Sequence, residues 1–188
     1  MGRLGQKRVL ITGAGSGIGE GFAKGLAAEG ATIGIVDLNL EHAKSVADEI
    51  NASGGKALAL AADVAERTQM AAAISKFVEF STGLDVIFNN AGFNKPMPLL
   101  EVTEENFNAI MRVNGLGVLI GIQEAAKVMI AQGTGGKIIN TSSVAGRQGY
   151  PDFAPYSASK FAVNALTQAA ARGLASHGIT CNSFSPVP

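Results

Sequence analysis

Short runs of aliphatic and β-branched residues alternate along this chain with longer stretches in which apolar side chains recur every three or four positions. Nothing else in the sequence restricts the fold as strongly. Arg8 to Thr12 is the first such run; it breaks at Gly13, and between Gly17 and Glu29 the residues Ile18, Phe22 and Leu26 fall at helical spacing. The same reasoning predicts strands over Thr32–Val36, Ala57–Ala61, Asp85–Phe88, Lys137–Thr141 and Ile179–Phe184. Helices are predicted over Leu40–Asn51, Glu66–Ser81, Glu104–Gln132 and Tyr156–Ser176, the third of these in one or two pieces. Strands separated by helices pair in parallel, because a parallel neighbour needs a crossover and the crossover is right-handed. The expected fold class is α/β: a doubly wound, mostly parallel sheet covered on both faces, in a single domain spanning residues 1–188.

Composition narrows the partners. Lys and Arg number 15 and so do Asp and Glu, so no net field draws in nucleic acid or an anionic membrane. The longest apolar runs, such as Val118 to Ile122, fall far short of the ~18 to 20 residues that cross a bilayer. Met1 to Gln6 lacks the apolar stretch of a secretory signal, and the single cysteine, Cys181, makes no disulfide within the chain; both suit a cytoplasmic location. His42 and His177 sit on helix faces or ends without ligand partners, and no metal site is expected. A small molecule selected by shape is the expected partner.

In doubly wound sheets ligands bind beyond the carboxyl ends of the strands, where the strand order reverses. The loop after the first strand reads Thr12-Gly13-Ala14-Gly15-Ser16-Gly17-Ile18-Gly19. Glycines permit a tight turn and close backbone approach to a pyrophosphate, and the helix starting near Gly17 offers unpaired N–H groups and a positive dipole end. Asp37 closes the second strand, 18 residues after Gly19, where a carboxylate accepts hydrogen bonds from both adenosine ribose hydroxyls and repels a 2′-phosphate. Neither Ala14, Ser16 nor Leu38 supplies a basic group to offset that repulsion, so NAD is expected in preference to NADP. A helix cap or a surface role is the alternative for Asp37. Asp63 and Val64 end the third strand and are candidates to flank the adenine, although an Asp before a helix also serves as an N-cap.

Four motifs together resemble the short-chain dehydrogenase/reductase family over nearly the whole chain: Thr12-Gly13-x-x-x-Gly17-x-Gly19, Asn89-Asn90-Ala91-Gly92, Ser143, and Tyr156-Ser157-Ala158-Ser159-Lys160. The resemblance implies a Rossmann-like fold and a hydride transfer between NAD and a secondary alcohol or ketone. It places cofactor contacts at Gly13, Ser16, Gly17, Ile18, Gly19, Asp37, Leu38, Asp63, Val64, Asn90, Ala91, Gly92, Tyr156, Lys160 and Pro186, and catalytic roles at Asn114, Ser143, Tyr156 and Lys160. The chemistry agrees. A hydride leaving a carbinol carbon requires the hydroxyl proton to leave too, and the protein must supply the base. Tyrosine titrates near 10, so service near neutrality requires ~4 kcal/mol of preference for the phenolate. Lys160, four residues after Tyr156 on the same helix, places an ammonium on the tyrosine's face. Ser143 is suited to steady the substrate oxygen; chemistry alone does not separate it from Ser142, and the family spacing selects it. Asn114, beside Gly115 in a long apolar helix, is expected to bend that helix and hold a water against Lys160.

Substrate choice is expected to involve Phe93, Asn94, Ala145, Arg147, Tyr150 and Phe153. The segments Gly135 to Ser143 and from Tyr156 onward resemble diol, acetoin and polyol dehydrogenases, with a 3-oxoacyl-carrier-protein reductase as the alternative enzyme. A non-catalytic dinucleotide-binding sensor or assembly module is the alternative of another class. The family resemblance also implies a homo-oligomer, tetramer or dimer, formed through the long helices. It implies further chain after the sixth strand, a Pro-Gly turn, a helical lid and a seventh strand, where this sequence reads Ser185-Pro186-Val187-Pro188. Val187 departs from the family's glycine, and the chain is expected to be a C-terminally short version of the fold.

Overall fold

Strands and helices alternate throughout the computed structural model, which describes residues 2–186: β1 (Arg8–Thr12), α1 (Gly17–Ala28), β2 (Thr32–Asp37), α2 (Leu40–Ala52), β3 (Lys56–Ala61), α3 (Arg67–Ser81), β4 (Val86–Asn89), α4 (Glu104–Met111), α5 (Gly117–Gln132), β5 (Gly136–Thr141), α6 (Ala154–Leu174) and β6 (Ile179–Phe184). The strands form one six-stranded sheet in the order β3-β2-β1-β4-β5-β6, and every pairing is parallel rather than most of them. The chain winds outward from β1 to β3, returns to the centre at β4, and winds outward again. The order therefore reverses between β1 and β4. Val187, the departure from the family's glycine, lies outside the described residues.

Alternation along each strand sorts the core into two layers. Val9 and Ile11 of β1, with Ile33 and Ile35 of β2, meet Ala23, Ala43, Val46 and Ile50 from α1 and α2. Leu10, Val36, Ile87 and Ile138 point to the other face and pack on Phe77, Ile120, Ala125 and Met129 of α3 and α5 and on Val163 of α6. Continuous apolar runs such as Val9-Leu10-Ile11 are the mark of strands buried on both sides. On β2, Gly34 leaves the space that the fully buried Phe77 ring fills: a β-carbon there would sit 2.7 Å from the ring.

The predicted helix over Glu104–Gln132 is continuous but not uniform. α4 and α5 are joined by a five-residue π-helical turn, Arg112–Leu116, that carries Asn114 and Gly115. Thr103 caps the start, its hydroxyl accepting from the Asn106 N–H at 3.1 Å, and Gly133 ends the run with φ of 71°. This helix is 29 residues long, and one 18-residue stretch of it has a mean hydropathy of 1.3, the length and apolarity of a membrane span. Much of its apolar surface is instead consumed by the core, where Val118, Ile120, Ala125 and Met129 are buried against the sheet and α3.

A polar ladder crosses that core. Asn89 Nδ2 donates to Asn140 Oδ1 at 2.8 Å, and Asn140 Nδ2 donates to Thr167 Oγ1 at 2.9 Å, so β4, β5 and α6 are tied through buried, satisfied amides. Gly121 of α5 is what admits Asn89, since a β-carbon there would stand 2.0 Å from Asn89 Oδ1. Gly121→Ala is expected to lower the urea midpoint by an amount equivalent to about 1–3 kcal/mol, the usual range for overpacking a rigid core. An unchanged midpoint in equilibrium unfolding would show that the amide ladder moves aside freely.

Candidate active site

A cleft of about 610 Å3 opens where the strand order reverses, beyond the carboxyl ends of β1, β4 and β5. Its floor is built by hydrogen bonds across the gap. Thr12 Oγ1 accepts from the backbone N–H groups of Asn90 at 3.0 Å and Ala91 at 3.1 Å. Asn90 Nδ2 returns the contact to the carbonyls of Thr12 at 3.1 Å and Gly13 at 3.3 Å, and Asn90 Oδ1 accepts from Thr141 Oγ1 at 3.2 Å. Three strand ends are thereby held in register around one hollow.

On the β1 side the loop predicted from the glycine spacing has the form expected of it. Gly13 adopts φ of 61°, and a β-carbon on it would stand 2.8 Å from Ala91 Cα; one on Gly19 would lie 2.2 Å from the Gly13 carbonyl oxygen. Gly13, Ser16 and Ile18 line the cleft, while Gly17 and Glu20 continue into α1. Ser16 sits at the helix N-cap without a side-chain cap bond, and the space around Gly17 is open. These features fit a dinucleotide: unpaired N–H groups, a positive helix end and room in front of them.

Asp37, at the end of β2, accepts from the Gly15 N–H at 3.0 Å through one oxygen and from the Asn39 N–H at 3.0 Å through the other. The capping role weighed for it belongs to Asn39, whose side chain accepts from Glu41 N–H and His42 N–H at the start of α2. Asp37 is thus a fixed carboxylate in the cleft wall, beside the exposed Leu38. Asp63 is likewise no helix cap. α3 starts at Arg67 after Glu66, and Asp63 instead accepts from Ala65 N–H at 2.9 Å and from Arg112 Nη1 at 3.0 Å. Asp63 and Val64 both face the cleft.

At the opposite end Tyr156 and Lys160 project from the first turns of α6, where Pro155 is buried. Tyr156 is half-buried and lines the cleft; Lys160 is 4% exposed. Lys160 Nζ lies 5.5 Å from the centre of the Tyr156 ring and donates to the Thr141 carbonyl at 2.8 Å. Burial pushes this amine down to about 8. The two adjacent serines separate cleanly. Ser142 is 2% exposed, its hydroxyl donating to the Lys160 carbonyl at 3.3 Å. Ser143 is half-buried and accepts from the Ala145 N–H at 3.1 Å, which leaves its own O–H free to donate.

Asn114 stands where it was expected to disturb the long helix, inside the π-helical turn. Its side chain is anchored: Oδ1 accepts from Phe93 N–H at 3.0 Å, and Nδ2 donates to the Phe93 carbonyl at 3.0 Å and to Ser159 Oγ at 3.1 Å. Two of these bonds clamp the segment that leaves Gly92, and the third ties it to α6. Ser159 Oγ in turn donates to the Tyr156 carbonyl at 2.7 Å, so the clamp reaches the first turns of α6. A β-carbon on Gly92 would stand 3.0 Å from Asn114 Oδ1 and 3.6 Å from Lys160 Nζ, which places all three groups together. Pro186 is half-buried and does not line this cleft, and neither does Ser143. Ala62, Val113 and Thr141 do line it, although the sequence reading passed over them. Their signal was positional, since each adjoins a motif residue or ends a strand.

Lys160 gives a test of this geometry that needs no ligand. Its amine titrates near 10.5 in water and at about 8 in the folded protein. Between those values the folded state has released a proton that the unfolded chain still holds, so stability rises with pH across the window. Relative to Lys160→Met, the unfolding free energy of the unaltered chain is expected to rise by about 3 kcal/mol from pH 8 to pH 10.5, read by urea titration. A flat difference would mean that the amine is solvated.

Comparison with known proteins agrees with the geometry. A sequence model of the short chain dehydrogenase family matches residues 7–188. The chain is 42% identical over 182 residues to L-2,3-butanediol dehydrogenase of Corynebacterium glutamicum, covering 96% of this chain and 70% of that protein. It is 40% identical to sorbitol dehydrogenase of Cereibacter sphaeroides, covering 98% of this chain and 71% of that protein. Among solved structures, NAD+-bound xylitol dehydrogenase superposes with a TM-score of 0.94 at 32% identity, covering 98% of this chain and 71% of the other. With its dinucleotide-type cleft and these relatives, the chain belongs to the short chain dehydrogenase family.

Proposed function

We propose that this protein interconverts a secondary alcohol and the corresponding ketone with NAD as hydride carrier, on a small diol, polyol or acetoin-like substrate. The observation that carries the reading is Tyr156 standing beside the buried Lys160 at one end of a cleft whose other end presents the fixed carboxylate of Asp37. The oxidised nicotinamide, when bound, accepts the hydride from the carbinol carbon. Tyr156 takes the hydroxyl proton as that bond breaks, and the Lys160 ammonium, 5.5 Å from the ring, favours the phenolate that must do so. Ser143 donates its free O–H to the substrate oxygen as negative charge develops there. Asn114 acts by holding the Phe93 backbone, and with it one wall of the reacting end.

Asp37 supports NAD over NADP, because a carboxylate already held by two backbone N–H groups stays in place to meet a ribose 2′-hydroxyl and repels a phosphate there. Relatives that act on butanediol and sorbitol support a small polyhydroxylated substrate, and they do not favour the acyl-carrier alternative. With 2,3-butanediol, acetoin and sorbitol, absorbance at 340 nm is expected to show NAD-linked turnover. Tyr156→Phe should reduce kcat by at least about 100-fold while leaving the dissociation constant for NAD within about 3-fold. Binding of NAD without turnover on any of these would favour the sensor or assembly module instead.

Self-association is part of the proposal. Phe107 on α4 is 41% exposed and Phe161 on α6 is 47% exposed, and these two helices pack side by side. Large aromatics held at the surface of adjacent helices favour burial against a second copy. Light scattering is expected to give a mass of at least twice 19.2 kDa; a monomer mass would remove this part of the reading.

A further inference from the structure

Ser143 stands at the head of a single turn of 3₁₀ helix, Val144–Gly146, and its hydroxyl caps that turn by accepting from the Ala145 N–H. Its backbone carbonyl closes the turn, accepting from the Gly146 N–H at 2.9 Å. Serine and turn are one unit, so whatever fixes Gly146 fixes the hydroxyl. Gly146 lies against α6: a β-carbon on it would stand 2.6 Å from Ser142 Oγ, 2.9 Å from the Lys160 carbonyl oxygen and 3.0 Å from Asn164 Nδ2. Asn164 Nδ2 donates to the Gly146 carbonyl at 3.0 Å, and Asn164 Oδ1 accepts from Ser183 Oγ of β6 at 3.0 Å. Engaged at both ends, the amide keeps its donor aimed at the turn. Asn164 follows Lys160 by four residues, as Lys160 follows Tyr156, so all three project from one side of α6.

We propose that Asn164 is a positioning residue for the alcohol–ketone reaction: through the Gly146 carbonyl it holds the Ser143 hydroxyl in place relative to Tyr156. The inference rests on the reading of Ser143 as donor to the substrate oxygen and goes beyond it, since it assigns the placement of that donor to a residue outside the cleft lining. Two groups must reach one oxygen, Tyr156 to take its proton and Ser143 to donate to it. They come from different segments, and a shift of about 1 Å between such groups is costly in rate. Asn164 removes that freedom by tying the serine's turn to the helix that carries the tyrosine. Ser142 bonds the same helix on the near side of Ser143, at 3.3 Å to the Lys160 carbonyl, so the turn is held before and after the serine.

The test is Asn164→Asp, made in the unaltered chain and in Ser143→Ala. A carboxylate keeps the shape of the amide and the bond to Ser183 but has no hydrogen for the Gly146 carbonyl. With 2,3-butanediol and saturating NAD, Ser143→Ala is expected to lower kcat by about 100-fold and Asn164→Asp by about 10-fold, each leaving NAD affinity within about 2-fold. Added to Ser143→Ala, Asn164→Asp should cost less than about 2-fold more, because a residue acting through the serine has nothing left to place. A full second loss in that background, or no loss in the unaltered one, would overturn the proposal. Amide hydrogen exchange reads the same contact without turnover: Asn164→Asp should speed exchange at Ala145 and Gly146 by at least about 10-fold and leave Val163 unchanged. Unchanged exchange in the turn, or equal loosening of Val163, would also overturn it. Asn164→Ala is expected to give the same pattern and replaces the carboxylate if that variant does not fold. An undiminished kcat in Ser143→Ala would instead overturn the reading of the serine, and absence of turnover in the unaltered chain the alcohol–ketone reading, each taking the catalytic purpose of Asn164 with it.

Discussion

The hydroxyl of Thr12 and the amide of Asn90 meet in the gap between β1 and β4, and the cleft exists because they do. Neighbouring strands in a parallel sheet are bridged by evenly spaced ladder bonds, but those bonds stop where the strands end. Past that point the two chains diverge to opposite faces, and water would enter between them. Thr12 and Asn90 carry the pairing two residues further, and Thr141 extends it to β5. The glycine loop, the segment leaving Gly92 and the Lys160 anchor at the Thr141 carbonyl all take their positions from this frame. A polar network in a half-buried site rigidifies only when each member is satisfied, and here donors and acceptors match.

From that frame the two ends of the cleft acquire different electrostatic characters. Around Asp37 the carboxylate is surrounded by backbone N–H donors, which hold its charge in place without neutralising it. Around Lys160 the amine is buried, with the Thr141 carbonyl as its hydrogen-bond partner and the Asn114 amide close by, so the charge there is expensive to maintain.

Much of this was legible in the sequence because it depends on periodicity and on residues whose chemistry is local. Continuous apolar runs such as Val9-Leu10-Ile11 announce a strand buried on both faces, and Gly13 next to Thr12 announces the turn. Tyr156 and Lys160 share a helix, so their proximity follows from the count of residues alone. What the sequence withheld depends on tertiary contact. Asn114 reads as a helix breaker until its partners, Phe93 and Ser159, are seen; those lie 21 and 45 residues away. Ser142 and Ser143 are chemically equal as letters and differ only in which one turns toward Lys160. The capping roles weighed for Asp37 and Asp63 fell to Asn39 and to no side chain at all, which only the helix starts could decide.

An α-helix turns about 100° with each residue, and a π turn holds one residue more than an α turn. The segment Arg112–Leu116 therefore sets α4 and α5 out of phase, although they run on one uninterrupted helical backbone. The extra residue lets α4 turn Asn106 and Ile110 inward while α5 presents Gly121 squarely to Asn89. Length here is a form of address: removing one residue from the turn would leave every side chain of α5 intact and rotate its sixteen residues away from the partners they were matched to.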